Sequence, residues 1–71
     1  MSFDFSKLRG RIIEKFGSQA EFSKVLGVSE NVLSKKMQNK VRFTSDDVTT
    51  ISELLGIQQN EIGVYFFTPK V

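Results

Sequence analysis

The chain has 71 residues, ten Lys/Arg against eight Asp/Glu and a net charge of +2, which gives room for one domain with a modest core. Cys and His are both absent, so disulfides, thiolate or imidazole metal ligands and the commonest general base are excluded. No apolar run nears the ~20 residues of a membrane span, and the N-terminus MSFDFSKLRG lacks the apolar stretch of a signal peptide. The expectation is one cytoplasmic domain over residues 1–71, with no membrane association and no cofactor.

The first predicted helix runs from about Phe5 to Phe16. Leu8, Ile12 and Phe16 recur every fourth residue with Ile13 beside them, and Lys7, Arg9, Arg11 and Lys15 fall largely outside that stripe. Gly17 ends it. A second helix follows at once, because Ser18 with Glu21 three residues on has the spacing of a capping box, and Phe22, Val25 and Leu26 give it an apolar face. Gly27 is placed where a chain must turn left-handed, a conformation that costs any residue with a Cβ.

Only Val28 separates Gly27 from the next cap, Ser29. The third helix is predicted from Glu30 to about Asn39, with Val32, Leu33 and Met37 inward and Glu30, Asn31, Ser34, Lys35 and Gln38 on the other face. Helices joined by so short a turn cross steeply. After the loop Lys40–Thr44, Ser45 is the expected cap of a fourth helix, with Asp46 and Asp47 complementing its dipole and Val48, Ile51, Leu54 and Leu55 as its stripe. Gly56 closes it. A short fifth helix is placed around Gln58–Ile62. The remainder, GVYFFTPKV from Gly63, is aromatic and β-branched and is read as an extended tail over residues 63–71. The fold class is therefore all-α, a compact bundle of four to five short helices with a helix-turn-helix at residues 18–39.

Charge is distributed unevenly. Residues 1–45 carry +5 and residues 46–71 carry −3, and between Asn31 and Ser45 there are four cations and no acid. Two readings stay open: a side that faces a polyanion, or a solvated surface whose charges segregate. The carboxylates fall singly on helices or at caps, and neither a Gly-rich phosphate loop nor a nucleophile–base pair occurs, so an enzyme is not expected, and no catalytic residue or metal ligand is assigned.

The spacing from Gln19 to Lys40, QAEFSKVLGVSENVLSKKMQNK, carries the strongest signal. Ser23 falls where two crossing helices come closest and bulk is excluded, Gly27 supplies the turn, and Leu26, Val28, Leu33 and Met37 fill the wedge between them. A locked angle lets the second helix project into a major groove about 12 Å wide. This pattern resembles the Cro/cI-type helix-turn-helix family of phage repressors (lambda-repressor-like, also called XRE) over roughly residues 5–57. A tighter resemblance, carried by KLRGRIIEKFGSQAEF, LGVSENVLSKKM and YFFTPKV, is to small Cro-like or modulator-of-repression (anti-repressor) proteins of Gram-positive temperate phages.

The resemblance implies a transcriptional regulator of a lysis–lysogeny switch in a bacterial host. It implies base contacts from Glu30, Asn31, Ser34 and Lys35, and backbone contacts from Gln19, Gln38, Lys40 and Arg42. The partners it implies are a double-stranded DNA operator or a cI-type repressor protein, with a homodimer as a further possibility. Two positions depart from the pattern. Ser23 stands where Ala is usual, and its hydroxyl needs a partner such as the carbonyl one turn back. Glu30 puts a negative charge at the first groove-facing position, where it either reads a cytosine or serves a partner other than DNA. The tail, with Val64, Tyr65, Phe66 and Phe67, is the candidate partner or dimer interface; it caps the core, pairs with a second copy or binds another protein.

Overall fold

A computed structural model describes residues 2–70. The helices are α1 (Ser6–Phe16), α2 (Gln19–Leu26), α3 (Glu30–Met37), α4 (Ser45–Leu55) and α5 (Ile62–Phe66), with a single 3-10 turn, Gln59–Glu61, leading into α5. The all-α expectation holds, and each of the first four predicted helices lies within two residues of its expected bounds. None of the helices is long and apolar enough to cross a membrane.

Local chemistry explains most boundaries. The Ser18 hydroxyl accepts from Glu21 N at 3.1 Å and the Ser29 hydroxyl accepts from Val32 N at 3.2 Å, so α2 and α3 are both capped by serine. Gly27 is left-handed with φ 85°, and its N–H and that of Val28 both reach the Ser23 carbonyl. The buried Ser23 hydroxyl donates to the Ala20 carbonyl at 2.7 Å, which supplies the partner its departure from Ala required. The cap of α4 is Thr44 instead of Ser45. Its hydroxyl accepts from Asp47 N, and the Asp47 carboxylate accepts from Thr44 N. A cap at Ser45 would have placed Val48 at the reciprocating position, where no acceptor exists.

The core gathers Leu8 and Ile12 of α1, Phe22 of α2, Leu33 and Met37 of α3, Ile51 and Leu55 of α4, and Phe66 of α5, with Phe5 and Ile57 closing its ends. Helix α1 packs against α2, α4 and α5, whereas α3 packs chiefly on α2 and so lies at the side of the bundle. Three residues expected on the inward stripes, Ile13, Val25 and Val32, are 40–54% exposed. Helices of eight or eleven residues present one narrow stripe to so small a core, and the neighbouring Ile12, Phe22 and Leu33 fill it.

The tail differs from its expected form. Gly63–Phe66 is helical, because Ile62, Tyr65 and Phe66 fall at i, i+3 and i+4 and together pack against the core. Phe67 ends that helix at φ −127° and ψ 23°, and pairing of the extended kind begins only beyond it. Pro69 forms an isolated antiparallel bridge with Phe3, Asp4 N donates to Thr68 O at 2.8 Å, and Lys70 N donates to Ser2 O at 3.0 Å. The two ends of the chain are thus fastened together; the part of the tail assigned to residue 71 lies outside the described residues.

Candidate interface on the third helix and the aromatic cleft

Glu30, Asn31 and Lys35 are exposed and Ser34 is half-buried. Their spacing puts all four, with Gln38, on one side of α3, so the structure gathers the predicted base-contacting set onto a single helix face. Two of the predicted backbone-contacting residues are already engaged inside the molecule. The Gln19 Oε1 accepts from Arg9 Nε at 3.2 Å, and Gln38 Nε2 donates to Ser34 Oγ at 3.0 Å. Lys40 and Arg42 are exposed in the loop between α3 and α4, and neither forms an ion pair among the described residues.

Lys36 behaves differently from Lys35 beside it. Its ammonium pairs with Asp47 Oδ2 in a setting where both side chains are four-fifths buried or more, and this bond ties the end of α3 to the start of α4. Burial pushes the Asp47 carboxyl up, but the Lys36 ammonium and the Thr44 backbone N–H and hydroxyl outweigh that and hold it below its ordinary value of 3.8. Lys36 is therefore a brace for the α3 face.

Asn39 was not singled out in the sequence, and it organises the other end of the face. It adopts φ 65°, the left-handed region, just past the end of α3. Its Oδ1 accepts from Phe3 N at 2.8 Å and its Nδ2 donates to Phe3 O at 2.9 Å, so one side chain satisfies both polar groups of a residue 36 positions away. Asn tolerates this conformation better than other side-chain-bearing residues, which is the local signal by which the sequence could have marked it.

The four tail residues proposed as an interface separate in the structure. Phe66 is 1% exposed and belongs to the core, Tyr65 is half-buried, and Val64 and Phe67 are 44% and 52% exposed. Phe67 lines a cleft of about 290 Å³ with Phe3, Phe5, Phe43, Val41 and Arg42 among its walls. Arg42 and Phe67, assigned to different roles in the sequence, thus stand at one concavity.

A solved structure, the solution structure of the modulator of repression (MOR) of the temperate bacteriophage TP901-1 from Lactococcus lactis, is similar to this chain. The two are 38% identical with a TM-score of 0.85, and the match covers 100% of this chain and 96% of that one. No curated protein matches the chain. A family model described as "Protein of unknown function (DUF739)" matches residues 1–69, and the chain belongs to that family.

Proposed function

We propose that the chain is a non-enzymatic, cofactor-free regulator of a phage lysis–lysogeny switch, acting in the bacterial host cytoplasm by binding a cI-type repressor protein. The full-length likeness to a phage modulator of repression, at 38% identity, carries this reading. Three features of the α3 region support it. Glu30 is exposed at the first turn of α3, where a carboxylate beside phosphates costs affinity. Gln19 and Gln38 are engaged within the molecule. The exposed Val25 and Val32 flank the turn between α2 and α3 and offer apolar area to a protein. The test is co-expression with a cI-type phage repressor, followed by size-exclusion chromatography. A co-eluting complex that persists at raised salt is the expected result, and separate elution of two folded proteins would defeat the reading.

A second reading keeps the helix-turn-helix of the Cro/cI type as an operator binder. The observation that favours it is the solvent-facing Asn31 and Lys35, with Lys40 and Arg42 near them and in no ion pair among the described residues. It requires that Asn31→Ala or Lys35→Ala cost about 1–3 kcal/mol at particular base pairs, and that Arg42→Ala weaken all sequences alike. Fluorescence anisotropy of upstream duplex DNA at several salt concentrations separates the two, since phosphate-driven binding falls steeply with salt.

A further inference from the structure

The phenylalanines around the cleft close a circuit. Phe3 meets Phe5, Phe5 meets Phe43, Phe43 meets Phe66, Phe66 meets Phe67, and Phe67 returns to Phe3, with centroid separations from 5.1 to 6.5 Å. Three of the five contacts are edge-on, the arrangement that aromatic quadrupoles prefer. In an ordinary core such rings would interdigitate to close packing. Here they surround a concavity of about 290 Å³, and the half-exposed Phe67 and Val41 stand at its mouth. An apolar group seated among these rings would gain dispersion contacts with them.

The charges at the mouth fix the polarity of what can enter. Lys36 is neutralised by Asp47, but Arg42 has no acidic partner among the described residues. The stretch from Asn31 to Ser45 that contributes this wall contains four cations and no acid. The lining is mostly aromatic with the Asn39 amide among it, it holds no acid, and Arg42 is its one cation without an acidic partner among the described residues.

We propose that this cleft is an anchor pocket for a segment of a partner protein that presents one large apolar side chain, aromatic or leucine-like, beside a carboxylate. The apolar group enters the circuit of rings and the carboxylate meets the Arg42 guanidinium, a pairing whose fork geometry Arg provides and Lys does not. Single-stranded nucleic acid fits less well. Stacking needs open ring faces, and of the five rings only Phe67 is exposed by half. The inference rests on the reading that the chain works through a protein partner, and it names the contact that partner would use.

The experiment is a titration of the ¹⁵N-labelled chain, followed by amide shifts, with three acetylated and amidated tripeptides: Asp-Phe-Asp, Asn-Phe-Asn and Asp-Ala-Asp. The expected result is saturable shifts at Phe3, Val41, Arg42 and Phe67 with the first peptide, and binding about tenfold weaker or worse with the other two. Shifts elsewhere, or indifference to loss of the ring or of the acids, would overturn the pocket. So would displacement of the peptide by a single-stranded oligonucleotide. In a second arm, Phe67→Ala and Arg42→Glu, both at exposed positions and checked for native circular dichroism, are expected to weaken capture of the cI-type repressor about tenfold. Equal capture by wild type and both variants removes the pocket while leaving the partner reading intact. A repressor that fails to bind while the acidic peptide still docks here removes the partner reading and leaves the pocket.

Discussion

At the scale of single residues, Asn39 and Asp47 do the most for the geometry of the α3 face. Asn39 combines a left-handed backbone with two hydrogen bonds to Phe3, so two substitutions separate these contributions. Asn39→Gly keeps the backbone and loses the bonds, and is expected to cost about 1–2 kcal/mol in urea unfolding. Asn39→Ala loses both and is expected to cost about 1 kcal/mol more. Equal losses for the two would deny the backbone contribution. The lowered Asp47 pKa has a defined sign. A carboxylate whose folded pKa lies below its unfolded value contributes stability that is present above about pH 4 and is lost as the pH falls through the folded value. Asp47→Asn should therefore be less stable than wild type at neutral pH, with the gap closing on acidification; thermal melts from pH 7 to pH 2 measure it, and a constant gap would contradict the assignment.

At the scale of elements, α4 contains a polar group with no visible return. The Ser52 hydroxyl is buried and has no hydrogen-bond partner among the described residues, although its backbone carbonyl accepts from Ile57 N in closing the helix. An unsatisfied buried hydroxyl costs free energy and Ala is the better helix former, so Ser52→Ala should raise stability by up to about 1 kcal/mol. A lowered Tm would mean that the hydroxyl has a partner such as a bound water. The start of the fourth helix is legible in the sequence. The residues TSDD contain both Ser45 and Thr44 as candidate caps, and Thr44 alone has a carboxylate, Asp47, three positions on. The helical tail is a similar case. The β-branched and aromatic composition of Val64–Phe67 suggested extended chain, while the spacing of Ile62, Tyr65 and Phe66 already carried a helical period. Burial of Phe66 overrode the local propensity.

At the scale of the whole molecule, the adjacent pair Phe66 and Phe67 divides core from surface. Phe66 lies against Phe43 at 5.5 Å and is almost wholly buried, whereas Phe67 is half exposed. Phe66→Ala is expected to cost about 3–5 kcal/mol, enough to unfold a domain of this size under mild conditions. Phe67→Ala is expected to cost less than about 1.5 kcal/mol. Comparable midpoints in urea for the two variants would refute the partition. Phe67 also packs its ring on Phe3 at 5.7 Å, beside the place where Thr68–Lys70 bonds to Ser2–Asp4 and Asn39 holds Phe3. The cleft therefore depends on three parts of the chain that are remote in sequence and meet only when the fold is complete.

The sequence alone determined the first four helices, the glycine turn at Gly27, the need for a partner at Ser23 and the grouping of Glu30, Asn31, Ser34 and Lys35 on one face. All of these follow from interactions within a few residues: helical period, capping spacing and the steric cost of a left-handed turn. The tertiary structure decided what depends on distant residues. It drew Lys36 into the bond with Asp47, gave Asn39 its hold on Phe3, left Val25 and Val32 in solvent, and brought Arg42 and Phe67 to one cleft. The physical reason is that burial and long-range hydrogen bonding are properties of a packed surface, and no local spacing encodes which residues will share it.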